Sequence, residues 1–250
     1  MRKWTKRIIE VIKHPRRMVL IDEGDAALRD FVAHLPQLFA QQQGHLLYRH
    51  RNELRTFTLN NRSLVVKSFA KPIALNRLVY GFLRKSKAQR SYEYAQLLLS
   101  KGIGSPKPIA WMSVRNGLLF TKCYYVSLKS TCPYCYNHLL EGKIESEAEV
   151  HRYLRLVART IGRMHNAGMV HRDLSGGNIL FGDGDIVELI DLNRIRFLHV
   201  DINEGCRNLS ERLIARHEWR EVMAHEYADE RGFDEAECLR LISQYNEIKD

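Results

Sequence analysis

No uninterrupted apolar run in the 250 residues approaches the roughly 18 to 20 that a membrane-spanning helix requires, and the N-terminus lacks the apolar core of a signal peptide. The expected location is therefore the cytoplasm. Cysteine is scarce and odd in number, five in all, which argues against a disulfide framework and agrees with a reducing compartment. Zinc-finger spacing, an RNA-binding aromatic signature and a heptad-backed basic region are missing, so a nucleic-acid partner would rest on charge alone and is disfavoured. Internal repeats and low-complexity tracts are absent as well.

What is present is an ordinary globular composition, 45% hydrophobic and 27% charged, in a chain long enough for one large domain or two small lobes. The formal net charge of +10 favours an acidic partner such as an anionic membrane surface or a phosphorylated substrate. Met1 to Arg17 concentrates that charge, with seven Lys or Arg against one Glu and with Trp4, Ile8, Ile9 and Ile12 as apolar anchors. Such an arm suits either peripheral contact with an anionic membrane or docking on the rest of the protein. Cys132 and Cys135 form a CPYC pair, but two further metal ligands and a thioredoxin-like setting are lacking, so both read as partly buried free thiols.

Hydrophobic periodicity divides the chain into a basic helical extension (residues 1–40), a strand-rich lobe (41–125) and a mainly helical lobe (126–250), with the boundary near Cys123 to Lys129. Trp4 to Lys13 reads as a helix. Asp25 caps a second, which Pro36 should disturb. His45 to Phe69 carries three short strand patterns, and Leu75 to Arg84 and Ser86 to Ser100 read as helices, the latter stopping near Gly102. Asn116-Gly117 between two apolar runs predicts a hairpin. Ser146 to Glu149 has the spacing of a capping box and opens a helix to about Asn166. Runs at Asn178 to Phe181 and Val187 to Ile190 bracket a turn at Gly182 to Asp185.

The chemistry is concentrated in His171-Arg172-Asp173-Leu174-Ser175-Gly176-Gly177-Asn178, which matches the kinase catalytic-loop pattern HRDLxxxN at all five specified positions. By average residue usage such a match arises on the order of once in ten thousand chains of this length. The spacing lets an Asp accept a hydroxyl proton while an Asn holds magnesium beside the same phosphoryl group. Asp173 is thus the expected base and Asn178 a metal ligand. Asp191, at the end of the apolar run 187–190, stands where the kinase pattern has its second metal-binding carboxylate, and His171 and Arg172 are expected to orient the loop. Leu64-Val65-Val66-Lys67 resembles the kinase VAIK strand, which makes Lys67 the expected ligand of the ATP phosphates. Glu93 is the sole carboxylate from Ser68 through Leu140 and hence the expected partner of Lys67 within that stretch, although Arg90 or Lys101 could also engage it.

HRDLSGGNIL, IDLNR, EYAQLLLSKGIGSPKPIAW and RNLSERL together resemble the lipopolysaccharide core kinases, the Kdo and heptose kinases, over roughly Leu46 to Trp219. The resemblance implies an α+β, protein-kinase-like two-lobe fold with a small antiparallel sheet and a mainly helical second lobe. It also implies ATP and Mg2+ as cofactors, and phosphate transfer to a hydroxyl of an inner-core sugar on a lipid-anchored or phosphorylated acceptor at the cytoplasmic face of the inner membrane. The sequence departs from the kinase pattern in three places. No GxGxxG lies between the first strands, where Gly44 and the turn around Asn52 are the nearest features. Asp191-Leu192-Asn193 replaces DFG, and Ser175 stands where Ser/Thr protein kinases usually have Lys. No Ser, Thr or Tyr lies between Asp191 and Arg207, so constitutive activity is expected. A small protein kinase and a nucleotide-binding scaffold without turnover are the alternatives.

Overall fold

The computed structural model describes residues 16–20, 24–70, 85–116 and 119–247. The helices expected at Trp4 to Lys13 and Leu75 to Arg84, and Gly117 of the expected hairpin turn, lie outside the described residues. The chain clusters into two units, one of residues up to Gln96 with Lys107–Lys129 and the other of Leu97–Pro106 with Ser130 onward.

The first unit is built on an antiparallel sheet of six strands in the order β1-β5-β6-β4-β3-β2. These are β1 (Arg16–Leu20), β2 (His45–Arg49), β3 (Glu53–Leu59), β4 (Arg62–Phe69), β5 (Pro108–Asn116) and β6 (Leu119–Leu128). The three strands expected from His45 to Phe69 and the pair flanking Asn116-Gly117 are all present. Asn60 and Asn61 join β3 to β4 with φ of 49° and 58°. Two consecutive positive φ angles match the right-handed twist of a hairpin, and asparagine tolerates them better than most side chains. The helical reading of residues 1–40 is corrected at Arg16–Leu20, which pairs with Ala110 to Val114 as the edge strand of this sheet. Ladder pairing with β5 and burial of Leu20 hold this segment as a strand between the two helical patterns.

Helix α1 (Ala26–Ala40) begins where the Asp25 carboxylate accepts the Leu28 N–H at 2.9 Å. Pro36 does not end it. The helix continues to Ala40 because Leu28, Val32, Leu35 and Phe39 are buried against Leu64, Val66, Met112, Tyr124 and Val126 of the sheet. Arg55, only 3% exposed, closes the far end of the helix: its Nη1 donates to the carbonyls of Gln42 (2.6 Å), Gln43 (3.2 Å) and Gly44 (3.0 Å). Its Nε donates to the Glu53 carboxylate at 2.5 Å. Gly44 has φ 79°, and a Cβ there would run into the Phe57 ring, so packing accounts for this glycine. Helix α2 (Lys87–Ser100) stops before Gly102 at φ 71°, as expected. Its Ala88 and Tyr92 pack with Phe69, Trp111, Phe120 and Cys123.

The second unit is mainly helical, with α3 (Asn137–Leu140), α4 (Glu147–Asn166), α5 (Ile202–Leu213), α6 (His217–Arg231) and α7 (Glu235–Glu247). Ser146 caps α4 through the Glu149 N–H, and α4 buries Tyr153, Leu154, Val157, Ile161 and Met164 along one stripe. It packs against α6, where Arg159 and Glu226 pair at 2.5 Å and Arg163 and Glu230 at 3.2 Å. Two small antiparallel ladders carry the loops: β7 (Tyr134–Cys135), β9 (Ile179–Gly182) and β10 (Ile186–Leu189) form one, and β8 (Met169–His171) with β11 (Ile195–Phe197) the other. Cys132 and Cys135 are half-buried free thiols, and the Cys132 thiol, pushed up in pKa by burial, sits 3.9 Å from Glu188. The two folds match the expected α+β kinase-like pattern of an antiparallel-sheet unit and a helical one.

Candidate active site

Backbone pairing brings three of the expected residues together in the second unit. β8 ends at His171, and a single turn over Gly176–Asn178 leads into β9. Beyond the end of β10, Ile190 N–H donates to the Asn178 carbonyl at 3.0 Å. That bond sets Asn178 and Asp191 side by side at one end of the β9–β10 ladder.

His171 is fully buried and fixes the loop from beneath. Asp173 N–H donates to His171 Nδ1 at 3.1 Å, so the ring proton is on Nε2, which donates to the Ile190 carbonyl at 3.0 Å. Burial holds the ring's pKa below its ordinary value, which keeps this neutral tautomer in place. One side chain thus ties Asp173 to the residue preceding Asp191. Asn178 Nδ2 donates to the Asp173 carbonyl at 2.8 Å, and this commits the amide nitrogen and leaves Oδ1 as the atom able to face a cation.

Asp191 has φ 57° and ψ 42°, the left-handed region that aspartate visits more readily than most residues. Asn193 Nδ2 donates to its Oδ1 at 2.5 Å. A sparsely populated backbone at a charged residue, held by its own neighbour, is the kind of local strain found at working sites. Among the described residues no group of three or more His, Cys, Asp or Glu is assembled for a metal. An amide oxygen and a carboxylate nevertheless suit magnesium, which needs hard oxygens and keeps several waters or phosphate oxygens in its shell. Gly176 leaves room for this turn, since a Cβ there would overlap the Asn137 side chain.

Asp173 is the most heavily attended residue of the loop. Arg212 Nη1 lies 3.1 Å from its Oδ1 and Arg194 Nη1 3.2 Å from its Oδ2. Arg172 points elsewhere and pairs with Glu204 of α5 at 3.0 Å, an anchor of the loop to that helix. Arg194 and Arg212 were missed as functional residues in the sequence, although both stand inside the segments IDLNR and RNLSERL that were singled out.

A buried chain of hydrogen bonds supports the loop from behind. Asn208 Nδ2 donates to the His171 carbonyl and its Oδ1 accepts from His165 Nε2, both at 3.1 Å. Tyr227 OH lies 2.8 Å from His165 Nδ1, and Arg231 Nη1 donates to that hydroxyl at 2.8 Å. Because the Arg cannot accept, the hydroxyl proton must go to His165, whose other nitrogen donates to Asn208. Gly205 allows the close approach of Tyr227, whose hydroxyl would overlap a Cβ at that position.

The His165 pKa is pushed down to about 3 by burial. Below the unfolded value near 6.5 the unfolded chain binds a proton that the folded ring refuses, so stability falls as pH drops from about 6.5 toward 3. At pH 5 this one ring should remove about 2 kcal/mol, with His171 shifting in the same direction. Denaturant titrations at pH 7 and pH 5 check this, and H165Q should flatten the dependence; an equal dependence in that variant would assign it to other groups.

Lys67 and Glu93 lie in the first unit. Lys67 pairs in register with Leu54 and Tyr125, and its Nζ sits 5.3 Å from the centre of the Phe69 ring, on the sheet face that also carries α2. Glu93 is taken up by Lys85 Nζ at 2.7 Å and Gln89 Nε2 at 2.9 Å. Lys85 is a partner the sequence reading did not consider. The turn between β2 and β3 holds no glycine; Asn52 Oδ1 accepts the Ala70 N–H at 3.2 Å and ties the turn to the end of β4.

A model of the lipopolysaccharide kinase (Kdo/WaaP) family matches residues 48–245, well over half of the chain. The chain belongs to that family. Among relatives of this Kdo/WaaP member, a 3-deoxy-D-manno-octulosonic acid kinase of Vibrio parahaemolyticus is 30% identical over 128 residues, 51% of this chain and 51% of the relative. A hormonally up-regulated neu tumor-associated kinase of Mus musculus is 25% identical over 157 residues, 58% of this chain and 21% of that one. The match thus spans about half of the first relative's length and about a fifth of the second's. In three dimensions, a structure of WaaP in complex with acyl carrier protein superposes with a TM-score of 0.62 at 17% identity, over 93% of this chain and 98% of that one. At that identity the likeness establishes the protein-kinase-like fold. No helix among the described residues is long and apolar enough to cross a membrane.

Proposed function

We propose that this Kdo/WaaP family member transfers the γ-phosphate of ATP to a hydroxyl of an inner-core sugar of lipopolysaccharide. The observation that carries the reading is the convergence of Asp173, Asn178 and Asp191 through the His171–Ile190, Ile190–Asn178 and Asn178–Asp173 hydrogen bonds.

Asp173 orients the acceptor hydroxyl and takes its proton as the oxygen attacks, the role its place in the loop gives a carboxylate. Asn178 through Oδ1 and Asp191 through its carboxylate would hold Mg2+, which would neutralise charge on the phosphates. Lys67 contacts the nucleotide phosphates from the sheet of the first unit, and Glu93 on α2 is the carboxylate available to position it, in exchange for Lys85. The lack of Ser, Thr and Tyr from Leu192 to Cys206 supports an enzyme active without loop phosphorylation. The basic sequence from Met1 to Arg17 and the net charge of +10 suit a phosphorylated, membrane-anchored acceptor and a peripheral position at the cytoplasmic face of the inner membrane.

Purified protein with Mg2+ and γ-labelled ATP should label delipidated core oligosaccharide. The acid sugar named in the Vibrio relative is the first acceptor to try. Label on added protein alone would move the reading to a protein kinase, and nucleotide binding without transfer would move it to a scaffold. Because attraction to the acceptor's phosphates is screened by salt, the acceptor KM should rise several-fold between 50 and 300 mM NaCl, settings chosen to span roughly a halving of the Debye length.

A further inference from the structure

Two guanidinium groups, Arg194 at 3.2 Å and Arg212 at 3.1 Å, face the one carboxylate of Asp173. Arg172, the other basic group of the loop, is directed instead at Glu204, 3.0 Å away. Neither Arg194 nor Arg212 has another acceptor among the described residues. Their side chains are 57% and 56% exposed while Asp173 is 27% exposed, so the guanidinium groups stand at the solvent side of the base.

The two arginines come from different elements, one from the turn directly after Asp191 and the other from the last turn of α5. Each spends an Nη1 on a different oxygen of the same carboxylate, and each keeps further N–H groups from its five donors. Half-exposed ion pairs of this kind contribute little to folding, so stability does not explain why two are directed at one carboxylate. A planar fork of donors is the group suited to gripping a carboxylate or phosphate by two oxygens.

We propose that Arg194 and Arg212 are the acceptor's anion clamp: they bind a carboxylate or phosphate carried by the sugar near its reacting hydroxyl and so place that hydroxyl on Asp173. This rests on the sugar-kinase reading above and adds to it the chemistry of the acceptor and two specificity-determining residues. Before the acceptor arrives, the clamp rests on the base. The acceptor's anion engages the remaining N–H groups and shares the guanidinium charge, which leaves the carboxylate open to the hydroxyl. A sugar with a hydroxyl but no neighbouring anion gains nothing from the clamp.

The test is a two-way comparison of enzyme and acceptor. R194Q and R212Q should each raise the KM for the native acceptor by 10-fold or more while the KM for ATP stays unchanged, and R194K should recover only part of the loss, because an ammonium keeps the charge without the fork. Acceptors with the carboxyl group reduced, or with phosphate removed enzymatically, identify which anion is held. Toward the acceptor lacking that anion, the unaltered enzyme and both variants should give the same KM. If the variants instead lower kcat by one factor on native and neutralised acceptors alike, the arginines act on Asp173 alone and the clamp is overturned. If the unaltered enzyme phosphorylates neither acceptor, the sugar-kinase reading falls and the clamp falls with it.

Discussion

Replacing Asp173 with Ala is expected to lower kcat by about 10³-fold, within the 10² to 10⁴ range that a positioned general base contributes. The fold should survive the change. Asp173 is partly exposed and its pairs with Arg194 and Arg212 are half in water, so their loss should move stability by no more than about 1 kcal/mol. The backbone bonds of the loop, from Asp173 N–H to His171 and from Asn178 to the Asp173 carbonyl, do not use the carboxylate and remain. Nucleotide binding should likewise persist, since the groups proposed to hold it are elsewhere. Steady-state transfer, a thermal melt and a nucleotide titration on the same preparation separate these effects. Turnover within a factor of about ten of the unaltered enzyme would remove Asp173 from the role of base.

The second large effect is expected in the first unit and on stability. Arg55→Met would keep the apolar stem of the side chain and delete the guanidinium that serves the carbonyls of Gln42, Gln43 and Gly44. It would also leave the Glu53 carboxylate, 17% exposed, with only the more distant Arg49 at 3.8 Å in place of the partner that faces it at 2.5 Å. Breaking a buried pair from one side costs about 3 to 5 kcal/mol, because the remaining charge is left desolvated. For a chain of this size that corresponds to a fall in Tm of roughly 10 °C. A companion Glu53→Gln change should be milder, since an amide can still accept from Arg55. A loss of under about 1 kcal/mol in Arg55→Met would show that water reaches these carbonyls freely.

The parts of the molecule that could be read from sequence are those whose determinants lie within a few residues of one another. Asp25, Ser146 and Gly102 act on their own helix ends, Asn60 and Asn61 on their own turn, and HRDLSGGN carries its chemistry in eight consecutive positions. The family followed from the same property, because its motifs are contiguous. What escaped was set by distant chain. Pro36 breaks a helix by local rules, yet Phe39 beyond it packs on Tyr124, and that contact carries the helix through. The strand at Arg16–Leu20 exists only because β5 offers it an edge. Lys85 was overlooked as the partner of Glu93 because no pattern links a residue ahead of a helix with one two turns into it. Arg194 and Arg212 converge on one carboxylate from positions 21 and 39 residues away, a distance no local spacing rule covers.

The hydrogen-bonded row from Arg231 through Tyr227, His165 and Asn208 to the His171 carbonyl bears on when the protein begins to work. By the time Asp191 is synthesised, the proposed base, metal ligands and phosphate contacts have been joined to the nascent polypeptide, but Arg194, Asn208, Arg212, Tyr227 and Arg231 are still to come. A ribosome must add about forty more residues, from 191 to 231, before the last of these braces exists. A truncation ahead of α6 would contain the whole motif, with Asn208 still on the His171 carbonyl, but would lack Tyr227 and Arg231, the two members that fix His165 from the far side.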